Sequence, residues 1–229
     1  MPDAVTRAVE ALRTMVLTGQ IAPGSGLTQV GLAQEIGVST TPLREALRRL
    51  EAEGLLESQR NGRPQVPRFD PADLDALYAG RVLLESLGIA LSAPRLGETQ
   101  LDVIRDHLGA MRGSDDPVGW DREHAAFHLA LMVGSTDAFR QEIDRLVGRS
   151  DRYRRMSVRV DDSEGRRIGD EEHGMIVAAC EARDGRDAAL ALARHLTRSA
   201  LTLIAHLEPD YDPVAVRGAL RMVMSWATG

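Results

Sequence analysis

Four of the chain's six histidines lie where one metal ion could gather them. His124 and His128 are four residues apart in Glu123-His124-Ala125-Ala126-Phe127-His128-Leu129, a stretch that reads as helix. Side chains at i and i+4 share a helical face, about 5–6 Å apart at Cβ. That span suits two imidazoles on one divalent cation. His173 and His195 follow in two later segments that also read as helical. Neutral imidazoles on three helices, pointing inward, make a site with positions left open for water or a ligand carboxylate. His107 and His206 show no such partners and read as ordinary surface or core histidines. Arg81 and Glu85 stand at i,i+4 on one helix, either as a helix-surface ion pair or with Arg81 turned inward to grip a carboxylate with both ends of its fork.

The bulk numbers bound what can surround such a site. With 229 residues, one large or two small domains are expected. Hydrophobic residues make up 43% but aromatics only 3%, so the core must be built from Leu, Val, Ala, Ile and Met. All 28 basic residues are arginine, which reads as a genomic composition bias rather than a functional feature. A net charge of −6 argues against a globally basic nucleic-acid coat and leaves room for a locally basic reading face. Cys180 is the single cysteine, so no intrachain disulfide can form, and a reducing cytoplasm fits. The N-terminus shows no long apolar signal core, and no apolar run approaches the roughly 18 residues of a membrane span, so a cytoplasmic protein without a membrane partner is expected.

The elements that would position these residues are almost all helical. Val5 to Leu17 repeats apolar residues at a helical period, and Ile21 to Gly26 breaks it with Pro and Gly. A short helix fits Gln29 to Ile36, stopped by Gly37. Ser39 to Thr41 can cap the next helix and Pro42 suits its first turn. Leu43, Ala46, Leu47 and Leu50 give that helix one apolar face, with Arg44, Arg48 and Arg49 on the other side. Leu55 to Gln59 and Arg63 to Val66 then flank Asn61-Gly62, a strong hairpin-turn signal. Helix, short helix, tight turn, basic helix and hairpin is the order of a winged helix-turn-helix, whose second helix enters the major groove of DNA.

Beyond a short linker near Arg68 to Pro71, Asp70 can cap and Pro71 can start a helix running to Leu91, ended by Pro94 and Gly97. Further helices fit Glu98 to Arg112, Val118 to Val133, Thr136 to about Met156, Gly169 to Ala182, and Asp187 to Leu207. Arg159 to Arg167 is polar and Gly-containing and reads as a mobile loop. Pro213 to Trp226 reads as an extra amphipathic helix that must bury its apolar side on its own bundle, on a partner subunit or on the winged domain. The fold class is therefore all-α: a winged helix-turn-helix over 1–69 with a small β-hairpin wing, a bundle of six to seven helices over 70–208, and an extension helix in 209–229.

The stretch Gly24-Ser25-Gly26-Leu27, then Leu32-Ala33-Gln34-Glu35-Ile36-Gly37-Val38-Ser39, then Thr41 to Leu50 and Glu53-Gly54-Leu55 resembles the DNA-binding half of the GntR transcriptional regulators. The resemblance covers roughly residues 5 to 68. It implies DNA contacts from Ser39, Thr40, Thr41, Arg44, Arg48, Gly62 and Arg63, with Arg44 as a recognition arginine and Gly62 at the wing tip. Members normally carry Arg immediately before the Thr-Pro pair; here that residue is Thr40. The second half, through Phe127-His128 with His124 before it, Glu172-His173, and Arg186-Asp187-Ala188-Ala189 leading to Arg194-His195-Leu196, is similar to the FCD effector domain, placing the chain with the FadR-like subfamily. That resemblance implies one metal held by an Asp or Asn and three His, with His124 here at the carboxylate's position, so the set is His124, His128, His173 and His195. An all-imidazole set prefers Zn, Ni, Cu or Co over Mg or Ca, whose ligands are oxygens; Zn or Ni is the expected cofactor.

Together these readings imply a homodimeric repressor. Two winged domains would read a palindromic double-stranded DNA operator, and a small carboxylate effector would bind the metal with help from Arg81. A metal-dependent hydrolase is the alternative from another class, since a His-bound metal can activate water. Against it, Glu123 adjoins His124 and points about 100° away on a helix, leaving no inward general base. A third possibility is a regulator whose metal is purely structural.

Overall fold

A computed structural model describes residues 3–17, 20–22, 24–25, 28–52, 55–58, 63–67, 69–114, 117–157 and 163–228. The chain divides into two compact units: residues 1–70 with 152–160, and residues 71–151 with 161–229. Among the described residues the only sheet is one small hairpin, and the rest of the regular structure is helical.

The first unit holds α1 (Ala4–Leu17), α2 (Gln29–Ile36), α3 (Thr40–Ala52), β1 (Glu57–Ser58) and β2 (Pro64–Gln65). Its core is aliphatic, with Leu12 of α1 and Leu43, Ala46 and Leu50 of α3 fully buried. Gly37 closes α2 in the left-handed conformation (φ 74°), its N–H donating to the carbonyls of Ala33 and Gln34. An added Cβ there would meet nothing within 4 Å, so glycine is required by the backbone angle and not by crowding. This turn ends α2 and leads into α3, which packs against it. The hairpin pairs Glu57 with Gln65 and Ser58 with Pro64 in antiparallel register. It is shorter than the residue pattern suggests, because Leu55 and Leu56 are buried and their N–H groups donate to the Leu50 carbonyl. They complete the end of α3 instead of extending a strand.

The second unit comprises α4 (Pro71–Ser92), a 3-10 turn (Ala93–Arg95), α5 (Glu98–Arg112), α6 (Pro117–Ala130), α7 (Asp137–Ser157) as far as residue 151, α8 (Ser163–Glu181), α9 (Gly185–Leu207) and α10 (Val214–Thr228), while the end of α7 is grouped with the first unit. α4 is the central helix and packs against α9 and α10; α8 packs on α9 and α5, and α5 on α6. By length and composition the segment Pro71–Arg95 is apolar enough to cross a membrane, contrary to the expectation that no stretch comes close. More than half of its apolar window is buried inside the fold, as suits a core helix. α9 begins with Asp184 as N-cap, accepting from the N–H groups of Arg186 (3.0 Å) and Asp187 (2.9 Å). Gly185 follows because α9 meets α4 there: a Cβ would stand 2.4 Å from the Ala90 carbonyl oxygen.

α8 starts at Ser163, six residues before the expected Gly169, so the second part of the expected loop is helix. Arg167 and Glu171, at i,i+4, form an ion pair on this exposed turn, the kind of contact that supports a polar helix end. α10 packs on α4 and α9 of its own unit, with Val216, Ala219 and Val223 buried and Trp226 left 49% exposed. Its first turn is capped from another helix. The Asp75 carboxylate of α4 accepts from the N–H of Ala215 at 2.9 Å and of Val216 at 2.8 Å.

Candidate functional site

Two groups of residues merit description, one in each unit. In the first, Ser39, Thr40, Thr41, Arg44 and Arg48 are all exposed, while Leu43, Ala46, Leu47 and Leu50 face the core. Thr40, Arg44 and Arg48 repeat at i, i+4 and i+8, so they form one ridge along α3. The helix N-terminus beside Ser39 to Thr41 offers free backbone N–H groups and a positive dipole end, a favourable place for a phosphate. Arg44 is not loose: its Nε donates to the Gln29 carboxamide oxygen of α2 at 3.0 Å. Arg49 instead turns back to Glu45 at 3.4 Å on the same helix. Arg63 is exposed at the start of β2, and Gly62 and Asn61 lie outside the described residues.

In the second unit, α6 supplies His124 and His128, α8 supplies His173 and α9 supplies His195. All four are buried, and each offers one ring nitrogen so that the four atoms lie within 4.8 Å of one another. Nε2 of His128 is 3.3 Å from Nε2 of His124. Two nitrogens bound tetrahedrally to one ion at about 2.0–2.1 Å are separated by about 3.3 Å. The set is all-imidazole and fits a borderline transition metal.

Two of the four rings are fixed by carboxylates behind them. Nδ1 of His128 lies 2.8 Å from Oε2 of Glu85, and Nδ1 of His195 lies 2.8 Å from Oε2 of Glu172. With those carboxylates ionised, each Nδ1 carries the proton and donates it, leaving Nε2 as the free lone pair. Burial pushes the Glu85 carboxyl up, but the Arg81 guanidinium and His128 outweigh it and hold it down at about 2. Burial also pushes Glu172 up, and hydrogen bonds from His195 and Arg198 bring it below the usual carboxylate range. His195 is pushed down to about 4, chiefly by burial and against the pull of Glu172, so it stands neutral as a ligand must.

Arg81 is an ion-pair partner of Glu85, yet not on a surface. Its side chain is 2% exposed and that of Glu85 0%. Nε of Arg81 donates to Oε1 of Glu85 at 2.6 Å, and Nη1 donates to the Ser150 hydroxyl of α7 at 2.7 Å. The result is a buried line from Ser150 through Arg81 and Glu85 to His128.

Glu85, Ser150, Glu172 and Arg198 therefore belong to the site, although the histidine pattern alone does not point to them. The residue pattern offered only Arg81 and Glu85 at i,i+4. Glu172 adjoins His173 in sequence but serves His195, 23 residues away. Gln29 was likewise invisible, being 15 residues from Arg44. His107 is bonded to Glu123 at 2.9 Å and is not one of the four clustered histidines.

Residues 4–66 match the bacterial regulatory proteins of the gntR family, and residues 76–198 match the FCD domain. The Nta operon transcriptional regulator of Aminobacter aminovorans is 28% identical over 210 residues, covering 90% of this chain and 93% of that protein. The uncharacterized HTH-type transcriptional regulator YdhC of Bacillus subtilis is 32% identical over 97 residues, 42% of this chain and 43% of its own length. Among solved structures, E. coli McbR/YncC superposes with a TM-score of 0.64 at 22% identity, covering 90% of this chain and 99% of that one. At that identity the likeness speaks for the fold.

Proposed function

The chain belongs to the gntR family of bacterial regulatory proteins and carries an FCD domain, and on that premise we propose that it is a metal-dependent repressor released by a small organic acid. Membership makes it a DNA-binding transcriptional regulator and not an enzyme. The finer reading is ours. Two copies form a homodimer in the cytoplasm and read the two halves of a palindromic operator, since protein and operator symmetry mirror each other. Ser39, Thr40 and Thr41 meet phosphates, Arg44 reads a guanine edge, Arg48 and Arg63 add backbone contacts, and Gly62 forms the wing tip. The Thr and Arg ridge of α3 supports this.

His124, His128, His173 and His195 hold one Zn or Ni ion. When bound, the metal supplies a Lewis-acid centre on which a carboxylate can sit. Arg81 adds positive charge behind His128 and becomes available to the acid when Glu85 yields. The convergence of four buried imidazoles in one unit carries this reading. The effector must favour the arrangement that binds DNA poorly, a coupling of about 1–3 kcal/mol in typical regulators.

A second reading has its own observation. Arg81 is already engaged by both Glu85 and Ser150, and the 3.3 Å spacing of two Nε2 atoms suits a closed tetrahedral site. In that case the metal only braces the bundle. One experiment separates the two. An operator is first selected from a random-sequence DNA pool. Protein stripped with chelator is then titrated with Zn or Ni, with and without mono-, di- and tricarboxylic acids, and operator affinity is measured at fixed salt. Release that needs both metal and acid supports the acid-responsive repressor. A metal that raises thermal stability while no acid alters DNA binding supports the structural role.

A further inference from the structure

Carboxylates hold His128 and His195; His124 has a different support. The indole of Trp120, one turn earlier on α6, stacks on the His124 imidazole with ring centroids 4.7 Å apart and planes 19° from parallel. The other rings around His124 meet it at much larger angles than the indole, 60° for His128, 71° for His173 and 52° for His195. Trp120 is half-buried, whereas His124 is buried. We infer that Trp120 is a positioning residue for metal capture, holding the His124 ring in its ligating orientation by a face-to-face stack that strengthens when a cation is bound. The inference rests on the metal reading of the four histidines.

The physical reason lies in the electronics of the two rings. An imidazole that gives its lone pair to a divalent cation becomes electron-poor. Indole is the most electron-rich aromatic side chain, and its face attracts cationic or electron-poor partners. The stack is thus worth more in the metal-bound state than in the free one, and only that difference adds to affinity. An aliphatic side chain of similar size would fill the space without this bias. At this position the all-imidazole set takes its support from a π face, where His128 and His195 use Glu85 and Glu172.

The test uses the full chain with Trp226→Phe, which leaves Trp120 as the sole tryptophan. Chelator-stripped protein is titrated with Zn and, separately, with Co. Trp120 emission is expected to change saturably at one equivalent of metal, and the signal should be absent from the His124→Ala variant. Trp120→Phe should keep metal affinity within about threefold, because a face remains. Trp120→Leu should weaken it by roughly three- to tenfold, the scale of one aromatic pair. Its Co absorption spectrum should move toward that of His124→Ala, while the helical content and melting of the metal-free protein stay unchanged. In the His124→Ala background, Trp120→Leu should have no further effect. Equal weakening in both backgrounds, or Trp120→Leu binding metal as tightly as the parent, overturns the positioning role. Failure of the parent protein to take up Zn or Co at all overturns the metal reading itself, and the two failures are told apart by the parent titration.

Discussion

Glu85 accepts from Arg81 and lies against His128, and both contacts are fully buried. Removing one partner of a buried pair leaves the other charge uncompensated, at a cost of about 3–5 kcal/mol. Glu85→Gln keeps the shape and loses the charge. It is expected to lower the denaturant midpoint sharply, and to weaken Zn or Ni binding by roughly 10- to 100-fold, the usual effect of losing a carboxylate behind a ligating imidazole. Unchanged metal affinity in a folded Glu85→Gln protein would show that His128 needs no such support. The DNA face has its own single-residue test. Arg44→Ala should cost about 1–3 kcal/mol against the selected operator and relax discrimination at one guanine per half-site. Gln29→Ala frees the Nε of Arg44, so it should cost less, and nothing further once Arg44 is gone. Additive losses would mean that Gln29 contacts DNA by itself. At this scale the sequence was legible where partners sit one helical turn apart, as for His124 with His128 and Arg81 with Glu85. Glu172 with His195, and Gln29 with Arg44, join residues on different helices, and spacing alone carries no trace of such pairs.

Helices were legible wherever caps and apolar periods agree. α2 closes at Gly37 and α4 runs from Pro71, both as the residues imply. The start of α8 was missed because its first turns are polar, and Gly165 and Gly169 look like loop residues; exposed polar helix is held by neighbours such as Arg167 and Glu171 rather than by an apolar stripe. The tail helix was legible as a helix but not as to its resting place. What seats α10 is Asp75, a buried carboxylate on α4 that caps it across 140 residues of chain. Loss of an N-cap acceptor typically costs about 0.5–2 kcal/mol. Asp75→Ala should therefore speed amide exchange at Ala215 to Gly218 while α4 and α9 keep their protection. Exchange that stays slow at those amides would show that burial of Val216, Ala219 and Val223 seats the helix without the cap.

At the scale of the whole chain, composition implied an aliphatic core, no intrachain disulfide and room for a locally basic face. It did not tell how a metal would act on stability, which depends on where the ligands sit. All four histidines belong to the second unit, and so does Cys180, on the same helix as His173. The Cys180 thiol is fully buried, and burial pushes it up to about 12, far above an ordinary thiol. It should therefore react with a thiol reagent only when the second unit opens, and its labelling rate then reports the open fraction. A ligand that binds only the closed form stabilises it by RT ln(1 + [L]/Kd), about 2.7 kcal/mol when the ligand stands at 100 times its Kd. Zn at that excess should slow Cys180 labelling near pH 8 by about 100-fold relative to chelator-stripped protein. The protection should vanish in the double variant His128→Ala, His195→Ala, which keeps Cys180 but lacks half of the ligand set. Equal protection by Zn in that variant would place the ion elsewhere, and no protection in the parent would deny the four histidines any hold on the closed state.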